Sequence, residues 1–255
     1  MVHTLNVVRL SVVSTDRRER SREQKRLRYL AAAGRVIDRD GLAGVTMQAL
    51  ADELDCAIGT IYTYFPSKAA LLAALAQQAV EALQGSYVTA RHTWDAYLES
   101  ERIDAELVPL VRLLAYAAYF SAASVVLADE FALQQALLSD PVASDPTDRS
   151  GPSLGVVRSL LDQPRELIDD AVEAGVLDPA DALERALRWL AALNGVLRVE
   201  VLAPLDRHLF RGTHLARSLT EDLLVGWGAS REDVEVATSQ VERLAALGPM
   251  APPPE

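Results

Sequence analysis

Residues 58–68, with the sequence IGTIYTYFPSK, place hydroxyl-bearing side chains at helical spacing. Thr60 and Thr63 can donate hydrogen bonds to base edges or accept them, and their methyl groups can contact thymine. The phenol groups of Tyr62 and Tyr64 are long enough to reach phosphate oxygens. Such side chains on a short helix predict a surface that reads the major groove of DNA.

The residues around these hydroxyls favour the close approach of a polyanion. Gly59 has no side chain to hold the backbone away from DNA, and Ile58 lies on the same surface. Pro66 breaks the helix, and Ser67 is predicted to cap the next one. Lys68 then adds its charge to the exposed amides of a helix N-terminus, a combination that favours phosphate.

Neighbouring helices must hold this recognition helix in place. Ile61 and Phe65, four residues apart, are predicted to pack against them. Thr46 is predicted to cap the preceding short helix, and Asp55 to form the tight turn between the two short helices. A longer helix should come first and end where Gly41 takes a left-handed conformation.

Charge is divided unevenly along the chain. Residues 1–70 contain 11 basic and 8 acidic residues, a net charge of +3, whereas the remaining 185 contain 14 (25 - 11) and 28 (36 - 8), a net charge of -14. Seven basic residues cluster near the N-terminus: Arg17, Arg18, Arg20, Arg22, Lys25, Arg26 and Arg28. This cluster predicts attraction to a nucleic acid, and a solvated helix face is the alternative interpretation.

The composition predicts an all-α globular protein. Half of the 255 residues are hydrophobic, leucine and alanine recur at three- and four-residue steps, and no sustained alternation marks a strand. Charged residues and serines interrupt or flank every apolar run, and the N-terminus lacks the pattern of a secretory signal. The single cysteine, Cys56, agrees with a reducing compartment. We therefore expect a cytoplasmic protein with no membrane partner.

The predicted helices and loops divide the chain into four parts. We expect a flexible arm over residues 1–20, a helix-turn-helix domain over 21–66, a helical domain over 67–248 and a disordered tail over 249–255. After the recognition helix, helices are expected at about 67–85, 101–130, 131–139, 153–174, 179–203, 213–226 and 230–247, with a loop over 139–152.

The stretch TMQALADELDCAIGTIYTYFPSKAALL, residues 46–72, resembles the helix-turn-helix of the TetR family of bacterial transcriptional repressors. Nine residues fall on the family pattern without a gap: Thr46, Leu50, Ala51, Gly59, Thr60, Tyr62, Tyr64, Phe65 and Lys68. The departures are Asp55 for the turn glycine, Ala57 for the usual serine cap and Ile58 for a residue that is often polar.

The resemblance implies a homodimer that binds a palindromic operator on double-stranded DNA and releases it when a small-molecule effector binds. A fourth helix would connect the DNA-binding helices to a C-terminal core that binds the effector. The residues expected to bind DNA are Thr46, Ala57, Ile58, Gly59, Thr60, Tyr62, Thr63, Tyr64 and Lys68. Nothing in the sequence separates repression from activation.

The same resemblance assigns roles within the C-terminal core. Two late helices, at about 179–203 and 213–227, would form the dimer interface, and packing within one subunit is the alternative. A largely apolar effector would contact residues in the segment where the family builds its pocket and two polar residues further on: Trp94, Tyr97, Tyr116, Tyr119, Phe120, Arg158 and Asn194. Core packing is the commoner role for any one of these aromatic residues.

Patterns that would indicate an enzyme are missing from the sequence. The histidines at 3, 92, 208 and 214 are too dispersed for a metal site, and no phosphate loop, nucleophile elbow or paired carboxylates are found. We therefore expect no catalytic site, cofactor or metal. The competing hypothesis, an all-α small-molecule-binding protein or enzyme with a vestigial helix-turn-helix, rests on Asp55, Ala57 and Ile58 alone.

Overall fold

A computed structural model of the protein describes residues 3–139, 152–206 and 211–253, with side chains described over 19–135, 158–200, 202–206 and 211–253. Every regular element in these ranges is helical, which confirms the all-α prediction. The helices are α1 (His3–Gly44), α2 (Met47–Glu53), α3 (Ile58–Tyr62), α4 (Lys68–Ser100), α5 (Val108–Val126), α6 (Ala128–Ser139), α7 (Pro152–Glu173), α8 (Ala182–Arg198), α9 (Gly212–Gly226) and α10 (Arg231–Leu247), with a 3-10 turn at Val199–Leu202.

The chain forms two compact units, Met1–Gln77 and Gln78–Glu255, and α4 is continuous from the first into the second. The sequence placed the domain boundary between residues 66 and 67, just before α4 begins at Lys68. The units divide further along because the first turns of α4 belong to the first unit, where Leu71 and Leu75 are buried.

In the first unit, local backbone signals decide where the helices begin and end. The side chain of Thr46 accepts a hydrogen bond of 3.0 Å from the amide of Ala49 and so caps α2, as predicted. Gly41 (φ 72°) interrupts α1 and Asp55 (φ 48°) turns the chain between α2 and α3, both in the left-handed region. Glycine adopts that region without strain, and aspartate tolerates it better than most residues.

Two arginines of α1 hold the end of α2 through one carboxylate. Arg35 Nε lies 2.8 Å from Glu53 Oε1, and Arg39 Nη1 lies 3.0 Å from Glu53 Oε2. Hydrogen bonds from Arg35 and Arg39 lower the pKa of Glu53 below its usual value. The stability that this link contributes is therefore present above the ordinary glutamate pKa and is lost as the pH falls through the lowered one.

The second unit is built around α5, which packs against α7, α9 and α10. By length and composition α5 could cross a membrane, but 67% of its apolar window is buried within the protein. Helix α5 starts at Val108 rather than near residue 101, since Pro109 fits a first helical turn and Arg102 (φ 53°) leaves the helical region.

Three further predicted boundaries are wrong. Helix α1 begins at His3 rather than near residue 21, because residues 3–20 contain neither proline nor glycine to stop it. Gly85 does not end α4, which continues to Ser100 because its buried face extends through Tyr87, Trp94 and Leu98.

The third concerns the predicted disordered tail. Ala251 is buried, and the carbonyl oxygen of Pro252 accepts a hydrogen bond of 2.5 Å from Ser86 Oγ. Residues 249–253 therefore pack on the second unit, because apolar contact and a satisfied carbonyl offset the cost of ordering a proline-rich end. The predicted loop at 139–152 falls largely outside the described residues.

Candidate functional site

Helix α3 presents one face to the core of the first unit and the rest to solvent. Ile61 and Phe65 are buried to 0% and 2% exposure, as their spacing predicts. Ile58 and Tyr62 remain 37% and 47% exposed although both are large and apolar, and Thr60 is exposed beside them. The outward face of α3 therefore holds the side chains that the sequence assigns to DNA.

The two threonines of this face differ in what their hydroxyls do. Thr63 Oγ1 donates a hydrogen bond of 3.1 Å to the carbonyl oxygen of Gly59, which leaves its oxygen lone pairs and methyl group outward. Thr60 makes no side-chain hydrogen bond to any residue in the described ranges, so its hydroxyl is available both to donate and to accept.

Tyr64 has a different role from Tyr62. Its ring meets that of Tyr29 edge to face, with centroids 4.8 Å apart and an interplanar angle of 89°, and the side chain is half-buried. Such pairs are worth about 0.5–1.5 kcal/mol beyond the burial of their surface. Tyr64 therefore fixes α1 to the end of α3, and Tyr62 is the tyrosine available to a partner.

The start of α4 offers a positive group at a capped helix terminus. Ser67 Oγ accepts a hydrogen bond of 3.1 Å from the amide of Ala70, which confirms the predicted cap. Lys68 is exposed. Thr46 and Ala57, at the starts of α2 and α3, are exposed too, so all nine residues assigned to DNA lie in the first unit and only Tyr64 is half-buried.

The departures from the family pattern leave this geometry intact. Asp55 adopts the required left-handed turn, and Ala57 begins α3 in an extended conformation without a side-chain cap. Ile58 is exposed on the outward face. The three departures therefore do not distort the local fold.

In the second unit the predicted effector-binding aromatics form a packed cluster. Tyr116 lies 6.4 Å from Phe120, between ring centroids, and 6.1 Å from Tyr119. Two residues that the sequence analysis missed join them: Tyr87 lies 5.8 Å from Trp94 and 5.3 Å from Tyr116, and Trp189 lies 5.3 Å from Tyr116. Their helical spacing on α4 and α8 was the only available signal.

This cluster leaves little room as it stands. Tyr116, Tyr119 and Phe120 line a void of about 30 Å³, the volume of about one water molecule. Burial, aided by the charge of Tyr87, raises the pKa of Tyr119 to about 12, and its hydroxyl donates a hydrogen bond to the carbonyl oxygen of Leu83. A role for these rings in effector binding stays a prediction, and it would require the cluster to open.

The other three predicted effector residues lie apart. Tyr97 Oη donates a hydrogen bond of 3.0 Å to Gln240 on α10, and Arg158 is exposed on α7. Asn194 is hydrogen-bonded to Gln135 and lines a groove of about 350 Å³ between α6, α7 and α8.

A larger cavity lies between α5, α9 and α10, where the sequence analysis placed no site. Its volume is about 420 Å³, and its walls include small residues of α5 and charged residues of α9 and α10. The available signal was the alanine at positions 117, 118 and 122 in a helix otherwise rich in large apolar residues.

One face of α8 is apolar and exposed. Leu183 and Leu187 are 49% and 54% exposed, and Ala191 and Gly195 continue the stripe at four-residue steps. In the described part of the chain no three His, Cys, Asp or Glu side chains are grouped to hold a metal ion.

The sequence of the first unit matches known regulators. Residues 30–75 match the family model described as bacterial regulatory proteins, tetR family. The chain is 42% identical over 52 residues to the HTH-type transcriptional repressor KstR of Mycobacterium tuberculosis, which covers 20% of this chain and 24% of that protein. KstR of Rhodococcus jostii is 41% identical over 59 residues, which cover 23% of this chain and 28% of that protein. The chain thus matches about a quarter of the length of these curated relatives.

Solved structures resemble most of the chain in fold. A protein of unknown function from Rhodococcus sp. RHA1 has a TM-score of 0.57 at 20% identity, covering 80% of this chain and 95% of that one. RolR in complex with resorcinol has a TM-score of 0.55 at 19% identity, and the match covers 86% of this chain and 95% of RolR. SmeT, the repressor of the Stenotrophomonas maltophilia multidrug efflux pump SmeDEF, has a TM-score of 0.52 at 20% identity, covering 78% and 89%.

Proposed function

We propose that this chain, a member of the tetR family of bacterial regulatory proteins by its N-terminal domain, is a cytoplasmic, ligand-responsive transcriptional repressor. The observation that carries the proposal is the outward face of α3, where Thr60 and Tyr62 are exposed on a short helix whose opposite side is fixed by Ile61 and Phe65. A rigid support with exposed hydrogen-bonding groups is what direct reading of bases requires.

Each residue of this surface has a proposed role in the DNA complex. Thr60 and Thr63 read base edges, and Ile58 contacts thymine methyl groups in the major groove. Tyr62 and Lys68 bind phosphate. Gly59 allows the backbone to come close, since an added Cβ there would meet no atom of the protein within 4 Å and the space is open to DNA.

The remaining assigned residues support these contacts. Thr46 and Ala57 lie at the N-termini of α2 and α3, where helix dipoles favour phosphate. Tyr64 acts through its contact with Tyr29.

A homodimer is proposed because one α3 surface is small and a palindrome presents two half-sites about 34–36 Å apart, or at multiples of that distance. The exposed stripe of α8 supplies an apolar surface for pairing, with Leu187 near its centre and Ala191 and Gly195 permitting close helix contact. Helix α9 is proposed to contribute the second pair of helices through Leu215, Leu219 and Leu223, which do not line the cavity between α5, α9 and α10.

Effector release follows from the proposed geometry. RolR, which shares the fold, was solved with resorcinol, and this supports a small-molecule effector here. An effector that binds the released conformation more tightly shifts the population toward it, by about 1.4 kcal/mol for each tenfold difference in affinity. Helix α4, continuous from Lys68 to Ser100, is the proposed connection between the units.

DNA binding is tested by titrating the protein against a palindromic fragment from upstream of its own gene, with fluorescence anisotropy at several salt concentrations. We expect log affinity to fall linearly with log salt. Thr60→Val should change the preference between bases, whereas Thr93→Val, at an exposed site on α4, should not. Binding without a salt slope, or an unchanged preference in Thr60→Val, would contradict the assignment.

Dimerisation is tested by sedimentation of Leu187→Arg. We expect a monomer that loses operator affinity, because a buried charge at a pairing surface is costly. Leu247→Arg is the matched control, since Leu247 is 62% exposed at the end of α10. If both variants sediment like the unsubstituted protein, α8 is not the interface.

A further inference from the structure

We propose that the cavity between α5, α9 and α10 is the effector site and that it binds an amphipathic organic acid. The C-terminal segment 248–253 then couples ligand binding in this cavity to the conformation of α4. The assignment of an effector rests on the proposed regulatory function. The binding chemistry of the cavity does not depend on DNA and can be measured separately.

The cavity has the size and lining of a small-molecule site. Its volume of about 420 Å³ lies within the usual range of roughly 300–1,000 Å³ for ligand pockets. The space exists because α5 presents Ala117, Ala118 and Ala122 where larger side chains would fill it, and Ala245 of α10 faces the same space. The floor is therefore apolar and suits a hydrocarbon or aromatic body.

Charged groups on α9 and α10 give the mouth of the cavity its selectivity. Arg217 is already neutralised, since its Nη1 lies 2.8 Å from Glu242 Oε1 and its Nε lies 3.8 Å from Glu221 Oε1. His214 Nδ1 lies 3.5 Å from Arg217 Nη2, so this imidazole also faces the Arg217 guanidinium.

Arg211 differs from Arg217. It lines the same cavity and is exposed, and it has no ion-pair partner among the described residues. A guanidinium beside an apolar floor matches a carboxylate with an apolar body, because it can donate two parallel hydrogen bonds.

The C-terminal segment links this cavity to α4. Met250 lines the cavity, and Ala251 next to it is buried with 1% exposure. The carbonyl of Pro252 accepts a hydrogen bond from Ser86 Oγ, and Ser86 is fully buried on α4. A ligand that displaces Met250 therefore acts on a segment bonded directly to the helix that continues to Lys68.

The groove of about 350 Å³ between α6, α7 and α8 is a weaker candidate. Its lining includes Leu187, Ala191 and Gly195, which belong to the apolar stripe proposed to pair with a second subunit. A dimer formed through α8 would cover it.

Ligand class is tested by calorimetry of the full-length protein with decanoate and decanol, which share a chain and differ in the acid group. We expect decanoate to bind at least about tenfold more tightly, because only the acid can form a charge-assisted, two-point hydrogen-bonded pair with the Arg211 guanidinium. Arg211→Gln should remove that preference, and Arg243→Gln, an exposed arginine of α10 outside the cavity, should keep it. Equal binding of acid and alcohol, or no binding of either, would overturn the proposal.

Location is tested by filling the cavity. Ala118→Phe should abolish decanoate binding, whereas Ala96→Phe, at an exposed site on α4, should leave it unchanged. If Ala118→Phe fails to fold, the exposed Arg211→Gln still decides the question. If Ala118→Phe binds decanoate normally but sediments as a monomer, the cavity receives a second copy of the chain instead, and the effector assignment is wrong.

Coupling is tested by amide hydrogen exchange of α4 with and without decanoate. We expect decanoate to change protection in α4, and Ser86→Ala to remove that change while decanoate still binds. Ser124→Ala, whose hydroxyl bonds within α5, is the control and should behave normally. An undiminished response in Ser86→Ala would overturn the coupling. If the protein binds no DNA, the proposed function fails, and these measurements still decide the cavity and the coupling.

Discussion

The two units use aromatic side chains in opposite ways. In the first unit Tyr62 is 47% exposed on the outward face of α3, whereas in the second unit Tyr116 is 5% exposed within a ring cluster. A tyrosine at a given helical spacing can therefore be an exposed side chain, as the proposed contact of Tyr62 with DNA requires, or a core residue. Burial, and not residue type, separates the two uses.

Charge separates the units in the same way. Residues 71–77 carry no charge, so the first unit keeps the net charge of +3 and the second that of -14. A polyanion is attracted to one and repelled by the other. The net negative charge of the whole chain is therefore compatible with the proposed DNA binding by the unit that carries α3.

The largest expected effect is the loss of stability when a buried aromatic side chain is truncated in either unit. Phe65→Ala in the first unit and Trp189→Ala in the second should each cost about 3–5 kcal/mol of unfolding free energy, since both side chains are fully buried. Urea denaturation followed by circular dichroism measures this cost. Tyr62→Ala should cost far less, and a similar loss from it would refute the contrast between exposed and buried rings.

The next largest effect is a loss of stability at alkaline pH that comes from the buried tyrosine Tyr119 of the second unit. Burial raises the pKa of Tyr119 to about 12 from 10.0, so its contribution to stability is present below pH 10 and is lost as the pH rises through 12. The loss should be about 1.4 kcal/mol for each unit of pKa difference. The free energy of unfolding, measured between pH 10 and 12, should fall less steeply with pH in Tyr119→Phe than in the unsubstituted protein. An identical pH dependence in the two proteins would contradict the assigned burial.

A cap in the first unit gives a smaller effect. Thr46→Ala should cost about 1 kcal/mol because the amide of Ala49 loses its acceptor, whereas Thr46→Ser should keep most of that stability. Thermal denaturation of the two variants measures the difference. Equal stabilities would show that the cap contributes nothing.

The substitution with the smallest expected effect on stability, at Gly59, should have a clear effect on affinity for operator DNA. Gly59→Ala should leave the fold intact or stabilise it by about 0.5–1 kcal/mol, because alanine favours a helix and its Cβ meets no atom of the protein. The added methyl group lies on the surface proposed to approach DNA, so operator affinity should fall. A variant with unchanged affinity would place DNA elsewhere.

The sequence predicted the first unit in detail because its signals are local. The Thr46 cap, the Asp55 turn and the Ser67 cap each depend on a few consecutive residues, and all three lie where predicted. Gly41 breaks α1 as predicted, but helical residues continue beyond it to Gly44. The end of α4 was predicted wrongly, because its buried residues Tyr87, Trp94 and Leu98 carry the helix on to Ser100. The start of α1 was also wrong, because residues 3–20 contain no proline or glycine to stop the helix.

In the second unit the sequence predicted the helices but not the space between them. The predicted aromatic group is real, yet Tyr87 and Trp189 join it only through packing between α4, α5 and α8. The tail, predicted to be disordered from its prolines, is held by Ser86, a partner 166 residues earlier in the chain.

The sequence by itself determined the helical class, the position of the short helix α3 and the division of charge, since propensity, capping and composition act over short distances. Only the tertiary structure decided which aromatic rings are buried, where a cavity remains and what holds the C-terminal segment. Packing between helices far apart in sequence sets those features, and no single segment encodes the volume left between three helices.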